Sequence, residues 1–563
     1  MNGFPYLLLL LVIPLVGAVV VGSMKGAPVR TVKLVALGIS LLVLVLAAAL
    51  WIAHTPSDGG LQHTMSVTWI AALGLKFSLG VDGISLVMIA LIALLVPIVI
   101  GASWEEKLPE GRSVAGYLGL LLSLEAAMIA VFAASDVFVF YVAFELMLIP
   151  MYFLIGAYGG PRRAYAAMKF FLYSFVGGLL MLASLIGLYV TSKDHLPGGT
   201  GSLDWETLKS IAHQIPESTQ MWIFAGFAIA FAIKAPLVPF HTWLPDAGAE
   251  APIGTGTLLV GVLDKVGTFG FLRICIPLLP AASSKLAWLI ILLSVIGIFY
   301  GGLLAAGQTD LKRFVTYTSI AHFGFIALGV FAFTTQAMTG AVFYMVAHGL
   351  ATGLLFLVVG MLTQRGGSRL ISDYGGVWKV APLLGGMFLI AALATVALPG
   401  TSSFIAEFLV LLGTFAALPG WGVAATVGIV IAAIYMLWIF QRTMTGPVRG
   451  VGVLGSDSDG ESFLPSVPLP TTSGWSAGSV DHDGHGDTVT RTMTIAAEAR
   501  KRFPDLNGRE IAVLTPLVVL IVFLGIYPRP VLDVIDPTVR STISQFQGQA
   551  TDDVTVGQTG GGK

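Results

Sequence analysis

Apolar stretches of about twenty residues recur along the whole chain, and few folds can accommodate them. About twenty consecutive apolar residues are needed for a helix to cross the 30 Å hydrocarbon core of a bilayer. Fourteen such segments are legible, at about 4–22, 31–53, 81–103, 113–133, 135–157, 164–191, 219–244, 252–277, 285–306, 313–334, 337–363, 383–413, 421–443 and 510–528. They are numbered 1 to 14 below. Only 11% of the 563 residues are charged and 56% are hydrophobic, where a soluble domain carries about 25% charge. In lipid, backbone N–H and C=O groups must be satisfied within the chain, so runs of this length fold as helices. The expected fold class is an all-α polytopic membrane protein with about 14 transmembrane helices.

Composition removes other classes. The single cysteine, Cys275, excludes an intrachain disulfide and a self-contained iron–sulfur cluster, which needs about four thiolates. A formal net charge of −1 argues against nucleic-acid binding, which requires a basic surface. Segment 1 is not a signal peptide, because the uncharged MNGFP precedes it and Lys25, Arg30 and Lys33 follow, the reverse of the signal order.

Lys and Arg set the orientation. Counted with their flanking turns, connectors after odd-numbered segments carry 20 of these residues, and those after even-numbered segments carry 4. By the positive-inside rule, the odd connectors are expected in the cytoplasm and both termini outside, in a bacterial plasma membrane. The expected organisation is 1–112 (segments 1–3), 113–277 (a five-segment block, 4–8), 285–443 (a second block, 9–13), a cytoplasmic flexible loop at 444–509, and 510–563 as a last transmembrane helix with an external tail. The loop is rich in Gly, Ser, Asp and Pro, a composition that favours disorder. Its DHDGHGD run, Asp481 to Asp487, resembles a metal-binding cluster, but such clusters in flexible loops are usually solvated, and no metal site is expected.

Two segments carry helix breakers at depth. Segment 7 contains Pro236 and Pro239, and segment 12 contains Pro399-Gly400. Proline removes a backbone donor and clashes with the preceding turn. Broken helices at mid-membrane are tolerated where they line a cavity or pack in protein, a device common in transporters.

The ionisable residues deep in segments are few: Glu125, Glu145, Lys234, Asp264, Lys265, Arg273, His322, His348 and Glu407. A charged side chain at bilayer depth costs about 2.5–3.5 kcal/mol on insertion scales, so each needs a reason. Their spread over both blocks suggests a file rather than one pocket. Glu145 has apolar neighbours, and Lys234 beside the first break is its natural partner. The plain alternative is a structural ion pair bracing the bundle. Lys265 follows Asp264 directly, so the two are expected to point to different faces. His322 and His348 titrate near neutral pH and pass protons through either ring nitrogen. Haem ligation is disfavoured because neither has a second histidine on its helix; a satisfied core histidine is the stronger alternative. Glu407 ends the file beyond the second break. Asp136 is expected to cap segment 5, and Arg273 to face the outer interface.

Five stretches carry a resemblance to a known family: LGVDGISL, FYVAFELMLIPMYFL, FAIKAPLVPFHTWLPDAGAEAP, QTDLKRFVTYTSIAHFGF and HGLATGLLFLVVGMLTQRGGSRLISDYGG. Over about residues 75–445 the chain resembles the antiporter-like membrane subunits of respiratory NADH–quinone oxidoreductase (complex I). The resemblance implies two inverted five-helix repeats with broken helices 7 and 12. It implies that Glu145 is the family's acid on helix 5, Lys234 and Lys265 its lysines on helices 7 and 8, and His322 and His348 its central relay. The L-type, N-type and cation/proton antiporter branches carry lysine on helix 12, and the M-type carries glutamate, as Glu407 does here. The sequence also ends soon after segment 14, whereas the L-type runs on into a long lateral helix, so the M-type is the expected branch.

The function this implies is proton translocation, with NADH oxidation and quinone reduction on partner subunits. No cofactor is expected in this chain; NADH, FMN, iron–sulfur clusters and quinone belong to the partners. L-like and N-like antiporter subunits and lipids are the expected neighbours. The alternatives are a subunit of a multi-subunit cation/proton antiporter or of a membrane-bound hydrogenase, and a passive scaffold.

Overall fold

In a computed structural model, described over residues 4–56, 59–196, 199–455 and 499–558, the chain is a bundle of membrane-length helices with one small β-hairpin. Eleven helices among the described residues are long and apolar enough to cross a membrane, and they correspond to segments 1–6, 9–11, 13 and 14. Segments 7, 8 and 12 are built from shorter pieces. The Asp481 to Asp487 run lies outside the described residues.

Burial sorts the helices into an inner and an outer set. In segment 11, Thr335–Gly366, every residue from Ala337 to Leu362 is buried. Segment 1, Tyr6–Ser23, buries only Tyr6, Leu7, Leu10, Pro14, Gly17 and Val21, a stripe at helical spacing. Segment 2, Val29–Ala53, does the same with Val32, Ala36, Ser40, Val43, Ala47 and Leu50. A helix apolar all round but buried on one stripe presents its other faces to lipid or a neighbour. Segments 3, 8, 10 and 11 therefore form the interior, which holds Asp264, Lys265, His322 and His348.

The proline breaks fall where expected. Segment 7 runs helically from Glu217 to Lys234, turns, and resumes at Trp243–Glu250. Pro236 has no N–H for the Ala232 carbonyl, and the Leu237 N–H bonds it instead at 2.9 Å. The Trp243 indole N–H satisfies the Ile233 carbonyl at 2.8 Å. The break thus leaves few backbone groups unpaired. Segment 12 divides into Pro382–Thr395 and Ser402–Ala417. Segment 5 is also interrupted, at Met147 between Val137–Leu146 and Leu148–Tyr158, because Pro150 cannot donate to the Leu146 carbonyl. Asp136 caps this segment by accepting from the N–H groups of Phe138 and Val139, as the sequence indicates.

Three features depart from the sequence reading. The connector after segment 2 forms an antiparallel hairpin, Gln62–Ile70 with Leu75–Val81, in which Val67 faces Phe77 and Met65 faces Leu79. Residues beyond segment 14 form a helix, Arg529–Gln558, rather than a plain tail. Its buried Val531, Val534, Ile535, Val539, Ile543 and Phe546 again follow helical spacing, and Thr538 Oγ1 accepts from the Gly83 N–H at 3.1 Å. Arg273 does not face the outer interface. Its guanidinium is buried, 2.9 Å from Asp82 Oδ2 and 2.8 Å from Ser85 Oγ, under the Trp205 ring. A lone arginine near a helix end is read as a snorkelling cation, but here a distant aspartate supplies its partner.

Candidate proton-transfer site

Segment 8 is the hub of the site. It is helical from Ile253 to Leu278 but passes through two π-helical turns, Leu259–Leu263 and Phe271–Cys275. A π turn shifts the hydrogen bonding by one residue and often marks a functional site. It frees the Val260 carbonyl, which Lys265 Nζ takes. The same ammonium donates to Asp264 Oδ1 at 3.0 Å and lies 2.7 Å from His348 Nδ1. Asp264 and Lys265 therefore pair, contrary to the expectation that adjacent residues face apart. The extra residue in the turn and the long lysine chain let the ammonium curl back. Asp264 Oδ2 accepts from Ser319 at 3.4 Å.

From His348 the polar groups continue. Its ring centroid is 5.5 Å from that of His322, and the Nε2 atoms of both are buried with no partner among the described residues. His322 Nδ1 is 2.8 Å from the Tyr344 hydroxyl, which is 3.0 Å from Glu407 Oε2. The order Asp264, Lys265, His348, His322, Tyr344, Glu407 is a buried string of groups that accept and donate protons. It spans segments 8, 10, 11 and 12 within the most deeply buried part of the bundle.

Tyr344 is the residue sequence reasoning missed. A tyrosine in an apolar helix carries no charge anomaly, yet its position one turn before His348 on the same segment was a usable signal. Tyr435 on segment 13, Pro419–Met444, was also missed. Its buried hydroxyl has no hydrogen-bond partner among the described residues. His241 lies beyond the first break, 3% exposed, with Nδ1 unpartnered among the described residues.

The Glu145–Lys234 pair is looser than expected. No ion pair joins them among the described residues. Lys234 Nζ instead lies 4.9 Å from the Phe144 ring and 5.5 Å from that of Phe170, within the range for attraction to an aromatic face. Glu145 sits against segment 6, where a Cβ on Gly178 would fall 1.8 Å from Oε1. Glycine there reserves the space its carboxylate occupies. Glu125 is fully buried with neither carboxyl oxygen partnered among the described residues.

A bundle of membrane-length helices, several of them interrupted, around a buried string of protonatable side chains defines a membrane ion-translocating class of protein. Residues 134–432 match the family model described as NADH:quinone oxidoreductase/Mrp antiporter, transmembrane. NADH-quinone oxidoreductase subunit M of Mycobacterium tuberculosis (strain ATCC 25618 / H37Rv) is 40% identical over 578 residues, covering 97% of this chain and 95% of that protein. Among solved structures, a chain of respiratory complex I from Thermus thermophilus with bound NADH superposes with a TM-score of 0.78 at 29% identity, covering 96% of this chain and 99% of that one. A chain of the Mrp complex from Dietzia sp. DQ12-45-1b shares the fold, with a TM-score of 0.75 at 21% identity, over 95% of this chain and 52% of that one. The chain belongs to the family of antiporter-like membrane subunits of NADH:quinone oxidoreductase.

Proposed function

We propose that this chain is the M-type, proton-translocating membrane subunit of a bacterial respiratory NADH–quinone oxidoreductase. The observation that carries the reading is the string from Lys265 through His348, His322 and Tyr344 to Glu407, in a chain 40% identical to a subunit M along nearly all its length. Partner subunits would hold NADH, FMN, the iron–sulfur clusters and the quinone. L-like and N-like antiporter subunits would lie beside it among the lipids. Blocks 113–277 and 285–443 are taken as the two inverted repeats, with the proline breaks of segments 7 and 12 in corresponding places. The excess of Lys and Arg on odd connectors supports a cytoplasmic side there, with both termini and the Arg529–Gln558 helix outside.

In this reading, redox work elsewhere changes the spacing of Glu145 and Lys234. The lack of a direct contact between them among the described residues suits a switch, because a pair not in contact has room to close. Moving Lys234 towards or away from Asp264 changes the field on Lys265. Lys265 then yields its proton to His348 Nδ1, and the string relays it to Glu407. Transferring one charge against 100 mV costs about 2.3 kcal/mol, a size that ångström-scale changes between buried charges supply.

The test uses the assembled complex. Lys234→Ala and Glu407→Ala are expected to abolish NADH-driven proton uptake into inverted vesicles while the complex stays intact on native gels. Normal pumping by either assembled variant would refute the file. The second reading, a cation/proton antiporter subunit, is supported by the shared Mrp fold and opposed by glutamate at 407. Sodium-dependent transport without NADH would favour it.

A further inference from the structure

The string described above begins at Lys265, deep in the bundle, and needs a supply of protons. A polar cavity of about 480 Å³ lies where the connectors after segments 3, 5, 7, 9 and 11 meet. Glu106, Glu250, Lys312 and Arg369 line it, with Lys107 at its rim. Most of these charges are engaged. Arg369 pairs with Glu250 at 3.2 Å and with Asp310 at 3.3 Å, and Lys312 Nζ donates to the Ala251 carbonyl at 2.8 Å.

Glu106 differs. Its Oε1 accepts from the Ile253 N–H at 2.7 Å, but Oε2 is buried with no partner among the described residues. The same side chain lines a second, inner chamber of about 10 Å³, together with Lys33, Ser103 and Tyr117. That is about the volume one water requires. Lys33 Nζ is occupied by the Trp104 carbonyl. The Glu106 carboxyl therefore stands between an aqueous vestibule and a one-water chamber.

Hydroxyl groups continue inward from the chamber. Ser103 Oγ has no partner among the described residues, and Thr255 Oγ1 is 3.4 Å from the Tyr117 hydroxyl. Gly254 permits this crowding, since a Cβ there would fall 2.5 Å from Ser103 Oγ and 3.0 Å from Tyr117 Oη. The Ile253–Leu258 helix packs against segment 11, whose Thr352 Oγ1 is buried without a partner among the described residues. Thr352 stands one helical turn from His348.

We propose that Glu106 loads protons from the vestibule and passes them inward past Tyr117 and Thr255 towards segment 11 and His348. This rests on the proton-translocating reading above. Each hydroxyl accepts one proton and releases one, so the route needs no oxidant or co-reactant.

The experiment compares Glu106→Gln, Glu106→Asp and Tyr117→Phe in the assembled complex, with Glu407→Ala as the reference for the pumping reading. NADH-driven proton uptake per NADH oxidised is measured in inverted vesicles, with and without millimolar formate as a small diffusible proton carrier. Glu106→Gln and Tyr117→Phe are expected to lower the rate at least tenfold; Glu106→Asp is expected to keep most of it, and formate to restore part of the Glu106→Gln loss. Full pumping by assembled Tyr117→Phe or Glu106→Gln, beside a defective Glu407→Ala, would overturn the route and leave the function standing. A Glu106→Gln defect that neither formate nor aspartate relieves would mark a structural residue and also overturn it. If Glu106→Gln fails to assemble, Tyr117→Phe decides alone. Normal pumping by Glu407→Ala would instead refute the underlying function.

Discussion

Lys265 Nζ and His348 Nδ1 lie 2.7 Å apart, with Asp264 and the Val260 carbonyl filling the other donor positions of the ammonium. Only one of the two nitrogens can carry the proton between them. With lysine charged, Nδ1 accepts and the ring proton is on Nε2; after transfer, the imidazolium carries a proton on both nitrogens, 5.5 Å between ring centroids from His322. The contact is therefore a proton-sharing pair. Lys265→Ala removes the donor and is expected to lower pumping by about 10²-fold, the usual contribution of a positioned acid or base. Quenching of a pH-sensitive dye in inverted vesicles measures it, with NADH–ferricyanide activity as the control for assembly.

Tyr344 links His322 to Glu407, so Tyr344→Phe deletes one oxygen and cuts the string in its middle. Pumping is expected to fall severely. The two buried groups left unpaired cost about 1–3 kcal/mol each, visible as a lower thermal midpoint. Adding Glu407→Ala to Tyr344→Phe is expected to lower pumping little further, because both act in one relay. Additive losses would show that the two residues act separately.

The sequence displayed charge at depth but not hydrogen bonding between helices. Lys234, Lys265, His322, His348 and Glu407 stood out because ionisable groups in apolar runs are rare. Pro236 and Pro399 marked the breaks for an equally local reason. Tyr344 was passed over because tyrosine is unremarkable in a membrane helix, and beyond its spacing to His348 its importance lies in partners 22 and 63 positions away. The π turns before and after Lys265 have no hydropathy signature, so the Asp264–Lys265 pairing was read wrongly. Arg273 was misplaced because its partner Asp82 lies far back in the sequence, at the start of segment 3. The Arg529–Gln558 helix was missed because its amphipathic stripe is too polar to register as a span.

Gly178 makes a separate prediction. A methyl group would overlap the Glu145 carboxylate, which is the flexible end of its side chain and will move aside. Gly178→Ala is thus expected to preserve assembly while displacing Glu145 from its seat near Lys234. Proton pumping per NADH should fall by at least half. Unchanged pumping would mean that the position of Glu145 is not critical.

Arg273 and Asp82 make a structural prediction. Their ion pair is buried, Asp82 also caps segment 3 through the Ser85 N–H at 2.9 Å, and Trp205 covers the guanidinium. Removing one partner of a buried pair leaves the other charge stranded, at a cost of about 3–5 kcal/mol. Arg273→Ala is expected to lower the yield and thermal midpoint of the complex, with pumping per assembled complex unchanged. Replacing both residues by Arg273→Met and Asp82→Asn should recover part of the loss, since no uncompensated charge remains.

Glu106 gives stability a dependence on pH. Burial raises its carboxyl above the ordinary 4.5, while the Ile253 N–H and the Lys312 charge pull in the opposite direction. The folded state therefore holds this proton more tightly than the unfolded chain. Between the two values the native form binds more protons, so stability falls as pH rises through that window and is level beyond it. Glu106→Gln has no such proton and escapes the fall. The thermal midpoint of the variant minus that of the wild type should therefore become more positive between pH 4.5 and pH 8. A difference that stays flat, or turns negative, would mean that the vestibule stabilises the carboxylate rather than the acid. A carboxylate locked in its charged form could not release the proton inward, so the same titration bears directly on whether Glu106 can act as the loading group.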